Sequence, residues 1–391
     1  MIYLDHNATT PLCPPAREAM EPFLERHFGN PSSIHALGRE ARAGVDDARD
    51  RLAALLGAQP HELIFTSTGT ESNNLAVLGL ARAHAERGRH LICASTEHHA
   101  VLHAFEHLAK RENFEVTFLP VNELGRIDPD ELENAIREET TVVSIMTANN
   151  ETGVLQPMNE IARVCAERGV LLHSDMVQSF GKVATRLAGS GLSAASFAAH
   201  KFYGPKGAGL LYLRAGVEID AVQFGGAHEN QRRPGTENVP AIVGMAAAAD
   251  WVLRDFESEQ ERQRGLRDRL WQRIAESLPP ARQNGDTAHR LANTLNVSLE
   301  GISSETMLMA LDLEGVGASS GSACMVGSVV ASHVLLAMDL PASLAASAIR
   351  FSLGQGTTAA EIDQAGGKIA RVIARSCSAR SDAPAEKFAL A

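Results

Sequence analysis

Lys201 stands in Ser196 to Gly209, SFAAHKFYGPKGAG, after a run of small residues and before a glycine-rich turn. A lysine there, desolvated enough to lose its proton, can form a Schiff base; a plain basic turn is the alternative. Thr66 to Asn74, TSTGTESNN, follows an apolar run and opens a helical one. Gly69 permits a tight turn, and the hydroxyls of Thr68, Thr70 and Ser72 stand beside free helix N–H groups, which suits a phosphate. The same residues also read as a capped helix start, with Thr70 or Ser72 as the cap. In Leu171 to Lys182, LLHSDMVQSFGK, Asp175 sits where an apolar run ends. Its carboxylate can hold a protonated ring nitrogen, a cation or a metal ion, or cap a helix. Cys324 lies in SSGSACMVG, whose small neighbours argue against core packing and for an accessible thiol. Arg350, in AIRFSLGQGTT, offers a planar fork to a carboxylate, or an ordinary surface ion pair.

His98, His99, His103 and His107 lie in TEHHAVLHAFEH, the last three spaced four apart on one helical face. Zinc can use such spacing, but no cysteine pair or carboxylate with clear ligand spacing completes a site. They read mainly as local histidines, and no metal is expected. His98 is separate, because it follows a strand and can stack on a planar ring. No G-x-G-x-x-G follows a strand and no G-x-x-x-x-G-K-[ST] occurs, which argues against nucleotide sites. A phosphate cradle, a strand-end Asp, a lysine and a ring-stacking His together describe a pyridoxal phosphate site. An accessible thiol and an arginine fork add an amino acid substrate attacked at sulfur.

These residues need a scaffold that brings strand ends together. Glu62 to Ser67, His90 to Ser95, Glu115 to Val121, Thr141 to Thr147, Val170 to Asp175 and Gly209 to Leu213 read as strands. Helical spacing of apolar positions appears between them, as in Leu75 to Ala85 and Leu132 to Ile136. The alternation implies an α/β fold with a mostly parallel sheet covered on both faces, whose ligands bind beyond the strands' carboxyl ends. After Ala241 one long helical stretch runs to Pro279 and Pro280. New strands and helices from Ala292 to Arg350 suggest a second, smaller domain, and the last dozen residues read as a frayed tail.

Apolar residues make up 45% and charged residues 21% of the chain, enough for a large core and against wholesale disorder. With 36 basic and 47 acidic residues the net charge is −11, which argues against nucleic acid or an anionic membrane as partner. The five cysteines, Cys13, Cys93, Cys165, Cys324 and Cys377, are widely spaced and odd in number, so they read as free thiols of a reducing compartment. No signal peptide or long apolar run is apparent, and a cytoplasmic setting is the expectation.

YLDHNATTP, FGNPSSIH, FTSTGTESNN, TEHHAVL, NNETGVLQP, DMVQSFGK, HKFYGPKGAG, RRPGTENVPAIVG, SSGSAC and RFSLG run nearly end to end. Through them the chain resembles the cysteine desulfurases of the fold-type I, class V aminotransferase superfamily. The short Cys324-to-Ser332 segment is similar to the nitrogenase-associated and housekeeping iron–sulfur group. The resemblance implies a large cofactor-binding domain, residues 15–257, with a mostly parallel seven-stranded sheet. Residues 1–14 and 258–378 would form a smaller α+β domain carrying the cysteine loop, and 379–391 a tail. It also implies that Lys201 is the Schiff-base lysine and moves the substrate's α-proton, that Asp175 pairs with the pyridinium nitrogen, and that His98 stacks on the ring. Asn150 and Gln178 would contact the ring's phenolic oxygen, Asn150 also facing substrate. Gly69, Thr70 and His200 would bind phosphate, with Thr236 reaching across from the second subunit of a homodimer. Arg350 would bind the carboxylate of L-cysteine. Cys324 would take its sulfur as a persulfide for a protein acceptor, leaving alanine and meeting an iron–sulfur cluster at most during transfer.

Two positions depart from that pattern. Ala198 stands where a serine usually helps hold the phosphate, and the loss of one charge-assisted hydrogen bond costs roughly 1.5–3 kcal/mol of cofactor binding. Ser196, one strand period away, would compensate through a water. Gln355-Gly356 replaces a frequent Arg-Phe pair. A selenocysteine lyase, or a non-catalytic homologue with a weakened cofactor site, is the competing reading. Iron–sulfur assembly, tRNA thiolation, DNA phosphorothioation and nitrogenase maturation are all possible destinations of the sulfur. Cys377 reads as a bystander.

Overall fold

The computed structural model describes residues 1–277, 281–320 and 331–381. After a short β1 (Ile2–Tyr3), the large sheet is built from β2 (Leu63–Thr66), β3 (His90–Ala94), β4 (Glu115–Leu119), β5 (Thr140–Ser144), β6 (Leu171–Asp175), β7 (Ala194–Ala198) and β8 (Gly209–Leu213). Its seven strands run in the order β2-β8-β7-β6-β5-β3-β4. β8 runs antiparallel to the other six, so their carboxyl ends share one edge.

The strands are apolar on both sides, as a sheet covered on two faces requires. Ile92, Val143, Leu172 and Phe197 face one core, while Leu91, Cys93, Val142 and Leu211 face the other. Among the helices that cover them are α1 (Pro14–Glu25), α2 (Ala36–Leu56), α3 (Gly69–Ala83), α4 (His99–Arg111), α5 (Pro129–Ala135), α6 (Met158–Glu167) and α7 (Val239–Leu253). β7, a central strand, is absent from the strands expected from sequence. Its AASFA is rich in alanine, a weak strand former, and burial on both faces overrides that propensity.

The single helix expected after Ala241 is two, α7 and α8 (Phe256–Ser277). The alanine-rich first half is buried between α1 and α2, whereas the charged second half turns Leu266, Leu270 and Ile274 into a different core. One straight rod could not serve both. That second core lies under a three-stranded antiparallel sheet of β9 (Ala281–Gln283), β10 (Thr294–Leu299) and β12 (Ala348–Ser352). α9 (Ser304–Leu313) and α12 (Ala359–Ser381) cover it, with β11 (Val316–Gly317) and the short α10 (His333–Ala337) and α11 (Ala342–Ala345) between them. β1 pairs with β11, and Ile2 and Leu4 enter this core. Among the described residues no helix is long and apolar enough to cross a membrane.

Candidate active site

A cavity of about 400 Å³ opens at the shared carboxyl edge of the large sheet. Gly69, Thr70, His98, Asn150, Asp175, Gln178, His200, Lys201 and Arg350 all line it. Gly69 and Arg350, 281 positions apart, therefore meet in one pocket. Thr236 does not line this cavity in its own chain and is exposed. Cys324 lies outside the described residues.

The cradle starts where β2 runs into α3. Thr68 is the helix N-cap, in place of the Thr70 or Ser72 expected, and its hydroxyl accepts from Glu71 N at 3.0 Å. The N–H groups of Gly69 and Thr70 then have no acceptor one turn earlier, and both residues line the cavity. A Cβ on Gly69 would stand 2.7 Å from Val177 Cγ2 and 3.3 Å from the Cβ of Ala198, so only glycine fits. Arg233 holds the far side of this helix start through Glu71, at 2.8 Å. Burial alone would raise the Glu71 carboxyl, but its bonds from Arg233 and Ser67 outweigh that and lower it.

Asp175 ends β6 with both oxygens engaged. Oδ2 accepts from Asn73 Nδ2 at 2.6 Å, and Oδ1 accepts from Val177 N at 2.9 Å. No helix follows Asp175, so the cap expected as the alternative is instead a bond to the turn after β6. Asn73, one turn into α3, was not singled out in the sequence; its spacing from Gly69 on a helix face is the signal that could have found it. Its Oδ1 is buried without a hydrogen-bond partner.

Lys201 follows β7, and its Nζ donates to the backbone carbonyls of Asn7 at 2.7 Å and Ala8 at 2.9 Å. His200 beside it is hydrogen-bonded to Thr9 Oγ1 at 3.2 Å and is pushed down to about 4 by burial and then by Lys201, Lys206 and Lys182. His98 caps α4, its Nδ1 accepting from Ala100 N at 3.1 Å. Burial, aided by Lys201, His99 and His333, lowers its pKa against the pull of Asp175. Both imidazoles are neutral at neutral pH. A neutral His98 can lie against a cationic aromatic ring without repelling it.

Ser196 does not line the cavity. It is fully buried on β7 and hydrogen-bonded to His173 Nε2 at 3.0 Å, while His173 Nδ1 meets Ser144 Oγ at 2.8 Å. The compensation expected for Ala198 is therefore corrected: Ser196 already serves a buried strand-to-strand network.

Arg350 is buried, not a surface pair. Nη1 donates to Asn150 O at 2.9 Å and Nη2 to Asp5 Oδ1 at 2.7 Å, while Nε is buried with no hydrogen-bond partner. Asp5 and Asn7 are further site residues that sequence reasoning did not name. Asn7 joins the two sheets, donating to Thr294 Oγ1 at 2.9 Å and to Asn150 O at 3.2 Å.

Among the described residues no group of three or more His, Cys, Asp or Glu is placed to hold a metal ion. His99 packs on His103 and His333 at 5.0 and 4.7 Å between ring centroids, whereas His107 pairs with Glu112. Cys13, Cys93 and Cys165 are buried, which raises their thiol pKa values, that of Cys165 to about 12, and makes them poor nucleophiles.

The class-V aminotransferase family model matches residues 2–365. The cysteine desulfurase IscS of Dictyoglomus turgidum is 43% identical over 372 residues, covering 95% of this chain and 94% of that protein. A solved NifS-like protein superimposes with a TM-score of 0.90 at 35% identity, covering 95% of this chain and 99% of the other. A solved structure of SspA in complex with cysteine gives 0.80 at 33% identity, covering 90% and 98%. The chain belongs to the class-V aminotransferase family. Within it, the chain falls among the cysteine desulfurases, enzymes whose cofactor is pyridoxal 5'-phosphate.

Proposed function

We propose that this enzyme converts L-cysteine to L-alanine while Cys324 takes the sulfur as a persulfide for delivery to a protein acceptor. One observation carries the reading: Lys201, Asp175, the Gly69–Thr70 helix start and Arg350 line a single cavity. The groups present fit pyridoxal phosphate, because the glycine-only cradle suits its phosphate, Asp175 its ring nitrogen, and Lys201 its aldehyde carbon. When bound, the cofactor supplies an electron sink for the carbon skeleton of the substrate.

The remaining steps fall to the chain's own residues. Asn73 and the Val177 N–H keep Asp175 oriented as an acceptor. Arg350 lines the cavity and would take the substrate carboxylate, with Asp5 and Asn150 fixing the plane of the fork. Lys201 removes the α-proton and returns one to carbon. The Cys324 thiolate attacks the substrate sulfur, the carbon–sulfur bond breaks with its electron pair left on carbon, and protonation there gives alanine. The products are alanine and Cys324 bearing one extra sulfur, so no external oxidant is needed.

The active unit is a homodimer in this reading. Phe28, Ile34 and Phe224 are 70%, 90% and 90% exposed, and a second copy would cover them. Thr236 would then reach the partner's phosphate site. The test is made on purified protein: its visible absorption, then sulfide and alanine released from L-cysteine with a thiol reductant. A cofactor band with equal yields, both lost in Cys324→Ala, is expected. Selenocysteine cleavage surviving in Cys324→Ala would favour a lyase, and a colourless protein that takes up no cofactor would refute the enzyme.

A further inference from the structure

Beneath the cavity lies a cation for which the proposed reaction has no role. Lys182, in the turn after β6, donates from Nζ to Gln178 Oε1 at 2.7 Å and to Asn7 Oδ1 at 3.2 Å. Gln178 in turn donates from Nε2 to the carbonyl of Asn7 at 2.8 Å, the same oxygen that accepts from Lys201. Two amino groups thus grip one residue, Lys201 by its backbone oxygen and Lys182 by its side-chain oxygen. Because an ammonium can only donate, Lys182 also decides which way the Gln178 amide points.

We propose that Lys182 is a positioning residue for Lys201: it fixes the Asn7 and Gln178 shelf on which the Lys201 amino group rests and places a second cation behind it. Repulsion between like charges acts on both partners, so an enclosed Lys182 makes a proton on the cofactor-bearing nitrogen harder to keep. Burial first, then Lys201 and Arg350, pushes the Lys182 ammonium well down, so Lys182 and Lys201 compete to hold a proton in one enclosed space. The other groups facing this cluster are His6, His98, His200, Asp175, Asp5 on Arg350, and Glu259 across a small adjoining cavity.

This inference rests on the assignment of Lys201 as the cofactor lysine. The holoenzyme and its Lys182→Met, Lys182→Gln and Lys182→Arg variants are titrated by pH through the visible cofactor band without substrate, and kcat/KM is profiled alongside. Met and Gln should each raise the midpoint by about one pH unit, while Arg leaves it in place. Gln retains hydrogen bonding and serves where Met does not fold. A midpoint unmoved in both neutral variants, at wild-type thermal stability, overturns the role, as does a higher KM with no shift. A band surviving Lys201→Ala would instead overturn the assignment of Lys201.

Discussion

Asp5 and Arg350, 345 positions apart in sequence, meet at 2.7 Å, and Arg350 lines the cavity. The pair neutralises a buried guanidinium and, with the Asn150 carbonyl, fixes its plane, so Arg350 is oriented before any substrate arrives. Lysine cannot copy that geometry, because a point charge cannot hold Asp5 and the Asn150 carbonyl while presenting a third donor in plane. Arg350→Lys should raise the KM for cysteine roughly tenfold or more with a smaller change in kcat. Asp5→Asn keeps an acceptor and should raise it less. Steady-state kinetics decide; a fall confined to kcat would remove Arg350 from substrate binding.

Ala198 and Ser196 should answer differently to mutation. Ala198→Ser puts a hydroxyl beside Gly69 at the cradle, and one added charge-assisted bond is worth about 1.5 kcal/mol, near a tenfold gain in cofactor affinity. Ser196→Ala should leave cofactor affinity unchanged but lower stability by about 1 kcal/mol, because His173 loses a buried partner. Gly69→Ala should release cofactor by crowding Val177. Equilibrium dialysis against pyridoxal phosphate and urea unfolding separate the three.

Glu97 is wholly buried, its Oε1 accepting from Met146 N and its Oε2 without a partner. Burial first, then Asp175, raises its pKa well above the ordinary 4.5. The folded chain therefore keeps a proton that the unfolded chain releases, and stability falls as pH rises above 4.5. Glu97→Gln removes that dependence. Its melting temperature at pH 8 should equal or exceed wild type, and its loss between pH 5 and 8 should be smaller.

The sign reverses at His173. Burial holds it near 3 against an unfolded value of 6.5, so this contribution is full above 6.5 and is lost as pH falls from there towards 3. Each unit within the window costs up to about 1.4 kcal/mol. Denaturant titrations at pH 7.5 and 5 should show His173→Gln less stable at the higher pH but losing less between the two. Equal losses would mean that His173 does not carry the acid sensitivity.

The chemistry-bearing strands were legible because β2 and β5 are rich in β-branched or aromatic residues and β3 and β6 carry short apolar runs, with Asp175 closing β6 and His98 four residues beyond β3. β7 was not, since alanine carries no strand signal of its own. Asp5, Asn7 and Lys182 were invisible for another reason. Each acts through a partner more than 100 positions away, Arg350, Lys201 and Asn7 respectively, and a single sequence shows residue types but not which distant carbonyl a side chain will meet. Gly69 could be read as a turn, but its tight seat against Val177 exists only once the sheet has closed.

The place of Asn7 sets an order of assembly. It precedes its partners Asn150, Gln178, Lys182, Lys201, Asn293 and Thr294 in the chain, and the adjoining Asp5 waits for Arg350. Closing such long loops is slow compared with forming local helices. The segment around Asn7 therefore stays unplaced until the chain through Arg350 is available, and cofactor capture comes after that closure.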